Sequence, residues 1–152
     1  MELLRDNLLN LVIREFRMED YDALIKLWND AQLSYKPKGR DRRNKIEQEL
    51  KRGNAIFLVA EINGKLAGSA FGTHDGRKGW INRLAVAPEF QKRGIARKLI
   101  AEVENRIYKL GIEIIACLIE DWNVKSMKVF EKSGYTKHPN ILYFTKRKNP
   151  DV

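Results

Sequence analysis

Cysteine, histidine and long apolar runs are scarce in this 152-residue sequence. It contains one cysteine, Cys117, so a disulfide or a cysteine-based metal site within one chain is excluded. Cys117 lies in the apolar run 114–119, which predicts a buried thiol rather than a catalytic one. No apolar run approaches the roughly 20 residues that span a bilayer. Residues 1–13 carry acids and do not have the pattern of a signal peptide. We therefore expect a cytoplasmic protein, and we expect no metal site.

The composition indicates a soluble globular protein, with 43% hydrophobic and 32% charged residues. The length suits one domain with a proper core, so residues 1–152 are interpreted as a single domain. The net charge of +9 permits weak attraction to polyanions. Because the cations are spread along the chain, apart from the tail 146–148, the charge favours a solvated basic face over specific nucleic-acid binding.

The first half of the chain predicts one strand, two helices and an antiparallel meander. The Asn63-Gly64 pair is a strong hairpin signal between two apolar runs. Gly68 and Gly72 suggest bends or a close backbone approach in the strand that follows. Periodicity and turn residues give a strand at 11–16, helices at 21–30 and about 41–51, and strands at 55–62, 66–73 and 80–86.

The second half predicts a helix, a strand, a helix and a last strand. One helix carries a stripe with a 3.6-residue period and a C-capping glycine; its members are Ile95, Leu99, Ile100, Val103, Ile107, Leu110 and Gly111. A buried strand at 112–119, a helix at about 124–132 and a strand at 141–145 follow. The strand-helix-strand crossover should be parallel and right-handed. The predicted fold is α/β of the α+β type: a mostly antiparallel sheet with one parallel pair, flanked by about four helices.

The stretch 84–96, LAVAPEFQKRGIA, predicts a strand end, a turn and a helix start that contains glycine. The first N–H groups of a helix lack partners within the helix and carry partial positive charge, so they attract phosphate. Gly94 lets a ligand approach the backbone closely. Lys92, Arg93, Arg97 and Lys98 add positive charge. The pattern favours a diphosphate site, although such junctions also occur without any ligand. Neither GxxxxGK[ST] nor a strand-linked GxGxxG is present.

Two segments carry a family resemblance. Val86, Pro88, Gln91, Gly94 and Ala96 form V-x-P-x-x-Q-x-x-G-x-A, which resembles the central Q/R-x-x-G-x-G/A motif of the GNAT superfamily of N-acetyltransferases. Residues 123–135, NVKSMKVFEKSGY, resemble that family's N-x-x-[AS]-x-x-x-Y-E-K-x-G-F/Y segment. The resemblance is specific over residues 80–135 and weak before them. It implies the GNAT fold, whose two parallel strands splay apart, and the order of elements is also that of the prediction.

The resemblance implies that acetyl-CoA lies between the carboxyl ends of the splayed strands, where ligands of open α/β sheets bind. It places the pantetheine arm on the backbone of 84–86, with the Val86 N–H donating to the thioester oxygen, and the pyrophosphate on the loop. Asn123 corresponds to a pantetheine contact and also suits a helix N-cap. The implied cofactor-binding residues are Leu84, Ala85, Val86, Gln91, Lys92, Arg93, Gly94, Ile95, Ala96, Arg97, Asn123 and Phe130.

The acid and base positions depart from the family pattern. The resemblance implies a tyrosine acid where Phe130 stands, and a glutamate base where Trp80 or Leu118 stands. Glu120 shares a strand face with Leu118 and is interpreted as a base acting through water, with a solvated strand-end carboxylate as the alternative. The remaining candidates are interpreted as two surface histidines and two acceptor-wall tyrosines: His74, His138, Tyr35 and Tyr143.

Three functions of different classes follow. The first is an N-acetyltransferase that moves an acetyl group from acetyl-CoA to a primary amine on a small molecule, a peptide N-terminus or a lysine. The second is an acetyl-CoA-binding sensor or interaction domain without turnover, which the absent acid and base favour. The third is a basic nucleic-acid-binding domain, which no base-reading motif supports. The sequence leaves open the amine acceptor and the choice between monomer and homodimer.

Overall fold

One five-stranded sheet forms the centre of the molecule, and its strands follow chain order from edge to edge. The computed structural model describes residues 10–152; residues 1–9, most of the stretch compared with a signal peptide, lie outside the described residues. The first four strands pair antiparallel, and the last pair is parallel, as predicted. The strands are β1 (Leu11–Glu15), β2 (Ala55–Ile62), β3 (Lys65–His74), β4 (Gly79–Val86) and β5 (Ile115–Ala116).

Four α-helices connect these strands, at the positions that the periodicity predicted. Short 3-10 turns at Met18–Asp20 and Pro88–Phe90 precede the first and third helices. Among the described residues, none of the helices combines the length and the apolar character needed to cross a membrane. The helices are α1 (Tyr21–Asp30), α2 (Arg43–Leu50), α3 (Ile95–Lys109) and α4 (Val124–Lys132).

Helices cover both faces of the sheet, because neighbouring residues of a strand point to opposite faces. In β2, Leu58 and Ala60 face the core that contains α3 and Phe130 of α4. Phe57 and Val59 face the other core, which contains α1 and α2. The result is a three-layer arrangement with apolar residues on both faces of the central strands.

Helix α3 lies very close to the sheet because β3 presents glycines beneath it. A Cβ on Gly72 would come within 2.6 Å of a Val103 methyl group, and one on Gly68 would come within 3.0 Å of a Leu99 methyl group. This confirms the predicted close approach at both glycines. The helix stripe is confirmed except at Leu110, which is 57% exposed because α3 ends at Lys109.

A bulge interrupts β4 at Arg83, whose backbone has a left-handed φ of +54°. The register between β3 and β4 shifts between Ser69 and Phe71, opposite this point. The buried Ser69 hydroxyl donates to the Arg83 carbonyl at 2.7 Å and accepts from the Trp28 indole N–H at 3.0 Å. One hydroxyl therefore joins α1, β3 and the irregular turn of β4.

Two of the predicted strands are wrong in extent. The strand predicted at 112–119 is reduced to β5, which pairs with β4 only at Gly79–Ile115 and Trp80–Ala116. The pairing stops because β4 bends at its bulge soon afterwards. The strand predicted at 141–145 does not form among the described residues, and its large apolar side chains are exposed. Its β-forming residues find no sheet edge to pair with in this arrangement.

The Ser69 bridge generates a stability prediction. Ser69→Ala should lower the free energy of unfolding by about 1–3 kcal/mol, because the buried Trp28 N–H and Arg83 carbonyl lose their partner. Urea denaturation followed by tryptophan fluorescence measures the change. Ser133→Ala is the matched control, since Ser133 only donates to a carbonyl at the end of α4. The control should change stability by roughly 0.5 kcal/mol or less. Equal losses in both variants would contradict the bridging role.

Candidate functional site

A gap opens between β4 and β5 at their carboxyl ends. The strands pair over two residues each, and the residues beyond Trp80 and Ala116 share no ladder. The bulge at Arg83 turns β4 away at this level. Backbone groups along the open side of β4 are consequently available to a molecule placed in the gap.

The backbone of 84–86 is oriented by its pairing with β3. The Ala87 N–H donates to the Ala67 carbonyl of β3 at 2.8 Å. Because the backbone groups of an extended strand alternate in direction, those of Val86 and Leu84 point away from β3 and into the gap. Sequence reasoning named the Val86 N–H as the donor to a thioester oxygen, and Leu84 presents a second N–H on the same side.

The loop between β4 and α3 forms a concentration of free N–H donors. Within residues 10–152, none of the backbone N–H groups of 92–97 donates a hydrogen bond. Lys92 and Gly94 both have left-handed φ values, +63° and +80°. Such alternation turns successive N–H groups toward one concave surface that suits an anion. The start of α3 adds its dipole to the same place.

Gly94 leaves open space above this loop. A Cβ built on Gly94 meets no atom within 4 Å, so the space beside it is free for a ligand. The Gly94 carbonyl accepts from the Lys98 N–H at 3.2 Å and so begins α3. The geometry agrees with the close approach that the sequence predicted.

Arg93 supplies a cation whose hydrogen-bonding capacity is not met within the described residues. Its Nη1 atom is buried and has no hydrogen-bond partner there. Its guanidinium lies 5.5 Å from the centre of the Phe90 ring. A buried donor without an acceptor is costly, so an anionic oxygen at this place would relieve the cost.

Three of the predicted contact residues have structural roles of their own. The Gln91 amide donates to the Val86 carbonyl at 3.1 Å, which ties the loop to the end of β4. The Asn123 side chain accepts from the Ser126 N–H at 3.2 Å, as predicted for a helix N-cap. Phe130 is buried in the core and packs edge-on against Tyr135.

The remaining predicted positions supply little proton-transfer chemistry. Glu120 is exposed and accepts a hydrogen bond from the Trp122 indole N–H at 2.9 Å. Leu118 is 51% exposed. The Tyr135 hydroxyl donates to Glu104, and burial together with this bond raises the pKa of Tyr135. Cys117 is half-buried rather than fully buried, and burial raises the pKa of its thiol to about 11.

The other singled-out residues lie apart from the gap or on the surface. His74 ends β3, and its Nδ1 accepts from the Gly76 N–H in the turn. His138 is exposed, as predicted. The Tyr35 hydroxyl donates to Asn29, and Tyr143 is 64% exposed.

The arrangement matches a known family. A profile described as the acetyltransferase (GNAT) family matches residues 14–135. The chain belongs to this acetyltransferase family. The match includes β2 to α4 and therefore both the gap and the loop of free N–H groups.

Solved structures of GNAT proteins share the fold. The PaiA N-acetyltransferase of Thermoplasma acidophilum, solved with coenzyme A, superimposes with a TM-score of 0.77 at 20% identity, over 86% of this chain and 92% of that one. A predicted acetyltransferase of Clostridium acetobutylicum, solved with acetyl-CoA, gives 0.73 at 17% identity, over 89% and 96%. Glucosamine-6-phosphate N-acetyltransferase of Arabidopsis thaliana gives 0.71 at 17% identity, over 91% and 99%.

A charged group that sequence reasoning missed lies beside the bulge of this GNAT chain. Asp41, from the loop before α2, is buried and receives two hydrogen bonds from Arg83, at 3.1 and 2.5 Å. Glu49 of α2 lies near both residues. Burial, and next the Asp41 charge, raise the pKa of Glu49 above its ordinary value. These residues are 34 to 42 positions apart in sequence from Arg83 (83 − 49 and 83 − 41), and no local motif marks them.

The raised pKa of Glu49 predicts a pH-dependent stability. The folded state binds the Glu49 proton more tightly than the unfolded state, so this group lowers stability as pH rises through and above its ordinary pKa of 4.5. Glu49→Gln should therefore stabilise the protein at pH 7, and the gain should shrink below about pH 4.5. Urea unfolding at pH 4 and pH 7 measures both values. Glu47→Gln, an exposed change on the same helix, is the control; an equal gain there would contradict the prediction.

Proposed function

We propose that this protein transfers an acetyl group from acetyl-CoA to a primary amine. The observation that carries the proposal is the pairing of an open gap beside Val86 with a loop of free N–H donors at residues 92–97. The first accepts an extended chain, and the second accepts phosphate. Together they suit a pantetheine arm that ends in a pyrophosphate.

The pyrophosphate would be held by the N–H groups of residues 92–97 and by the side chain of Arg93. Gly94 keeps the loop open, and the left-handed backbone at Lys92 and Gly94 directs the donors. The orphaned Arg93 Nη1 offers a further donor of the kind that binds phosphate oxygens. Fixed donors of this kind need no rearrangement when the anion binds.

The reacting end would lie against β4. Acetyl-CoA supplies the acetyl group as a thioester, and its carbonyl oxygen gains negative charge as an amine attacks. The Val86 N–H, or the Leu84 N–H on the same side, would donate to that oxygen. The bulge holds this backbone through the Ser69 hydroxyl, so the donor direction is set before the substrate arrives.

The attacking amine must lose a proton. A lysine amine, with a pKa of about 10.4, costs roughly 4.6 kcal/mol to neutralise at pH 7, whereas an α-amino group costs about 1 kcal/mol. Glu120 acting through water is one candidate base. Glu49 is the second, since its raised pKa brings it closer to the range that suits a general base. Proximity and orientation can supply several kcal/mol without either group.

Primary amines are the acceptor class that the relatives favour. Several similar structures are N-acetyltransferases by name, and one of them acts on glucosamine-6-phosphate. The identities of 17–20% carry the fold and not the acceptor. The acceptor is therefore left as a primary amine on a small molecule, a peptide N-terminus or a lysine.

The alternative is a domain that binds acetyl-CoA without turnover. Buried Phe130 stands where a family acid is expected and packs against Tyr135 in the core. Glu120 is solvent-exposed and already bonded to Trp122. A binding module would keep the gap and the loop and lose only proton transfer.

Thiol release distinguishes these functions. Acetyl-CoA is incubated with panels of polyamines, amino sugars, peptide N-termini and lysine peptides, and free thiol is measured against a control without amine. The enzyme predicts release with at least one class and faster release as pH rises toward the amine pKa. Glu120→Gln and Glu49→Gln identify a base by a lower kcat with unchanged KM for acetyl-CoA. Binding without release from any class would favour the binding module.

Gly94 and Gly111 offer a matched test of the loop. Both have φ near +80°, both face open space, and they lie at opposite ends of α3. A side chain in this conformation costs roughly 1–2 kcal/mol, so Gly94→Val and Gly111→Val should lose similar stability. Only Gly94→Val should weaken acetyl-CoA binding, by at least about tenfold or 1.4 kcal/mol. Calorimetric titration measures both variants, and equal affinities would remove the loop from the site.

A further inference from the structure

The segment 141–144 exposes four large apolar side chains in succession. Ile141 is 70% exposed, Leu142 76%, Tyr143 64% and Phe144 85%. Single exposed apolar residues are ordinary, but a contiguous group marks an interaction surface. Because successive side chains of an extended segment point to opposite sides, both faces of this segment are apolar. Such a segment suits the interior of a sheet.

The backbone of the same segment is free to join a sheet. Within residues 10–152, no backbone hydrogen bond involves residues 136–148. An extended chain with both edges unpaired is a template for strand addition. The preference of isoleucine, tyrosine, phenylalanine and threonine for strands adds to this.

A matching vacancy lies at the edge of the sheet. β5 has one neighbour, β4, and its other edge is open within the described residues. Ile114, Leu118 and Trp122 are each more than half exposed around it. The run 112–119 is apolar on both faces, as in a strand that has two neighbours.

Charges flank the two surfaces with opposite sign. Glu113, Glu120 and Asp121 lie at the two ends of the β5 run, whereas lysines and an arginine lie at both ends of the apolar segment, at 137 and 146–148. Opposite charges at the rim favour the encounter of two surfaces. They also fix the ends of any ladder that forms between them.

Within one chain these surfaces do not meet. Tyr135 is anchored to Glu104 of α3, and the backbone of Asp151 lies directly against Gly39 in the loop before α2. The segment between these two anchors crosses the surface away from β5. Its own β5 edge stays uncovered.

We propose that two copies of this chain exchange their C-terminal segments, with residues 141–145 of each copy adding a strand to the β5 edge of the other. The same two surfaces then meet twice around a twofold axis, which is the arrangement of a closed dimer. β5 gains its second neighbour, and the exposed apolar residues of the segment become buried. The sheet of each copy grows to the six strands that the sequence pattern predicted.

The native Cys117 of β5 provides a direct probe of this exchange. One cysteine at a time is placed at positions 141 to 145 in the full-length chain, which retains Cys117, and the proteins are oxidised and separated without reductant. Exchange predicts disulfide-linked dimers, strongest at alternate positions because only every second side chain shares a face with Cys117. The same variants carrying Cys117→Ser should lose the cross-link. A disulfide within a monomer would show that the segment covers its own β5 and would overturn the proposal.

Sedimentation equilibrium of the unmodified chain provides the second measurement. The chain should sediment as a dimer, and Leu142→Pro should abolish the dimer because proline removes a ladder N–H. Lys148→Pro, a proline in the same tail outside the segment, should leave the dimer intact. Thermal melts establish that both variants remain folded. A monomeric parent chain, or a dimer that Leu142→Pro does not affect, would overturn the exchange. Neither measurement uses acetyl-CoA, so the outcome is independent of the proposed function.

Discussion

The hydroxyl of Ser69 is the contact on which the site depends. It is buried and joins the Trp28 indole of α1 to the Arg83 carbonyl in β4. Arg83 adopts a left-handed backbone there, and its guanidinium is held by the buried carboxylate of Asp41. The bulge bends β4 away from β5, and the bend opens the gap. An irregularity that costs strand pairing therefore provides the free backbone at Val86.

The loop before α3 complements this gap with fixed positive charge. Lys92 and Gly94 turn the backbone so that its N–H groups lack partners within the described chain, and Arg93 keeps a buried donor unused. These unmet donors cost stability in the free protein, as is common where a fold prepares a binding surface. α3 can hold the loop rigidly because Gly72 lets it lie directly on β3.

Local features were predictable from the sequence, and long-range ones were not. The hairpin at Asn63-Gly64 and the cap at Asn123 are written in neighbouring residues, and the helix bounds followed from periodicity. The family match placed the fold as well. The bulge at Arg83 was missed because β-forming residues surround it, and its partner Asp41 is remote in sequence. The extent of β5 failed for the same reason, since strand length depends on neighbours that are distant in sequence.

The central claim is that the loop at 92–97 binds a diphosphate while β4 binds the acyl-bearing arm. Calorimetric titration with acetyl-CoA, beside acetyl-pantetheine, which lacks the pyrophosphate, tests this claim most directly. The account predicts clear binding of acetyl-CoA and a loss of at least about a hundredfold for acetyl-pantetheine, since about 2.7 kcal/mol of phosphate contacts would be absent. Equal affinity for the two ligands, or no binding of either, would contradict it.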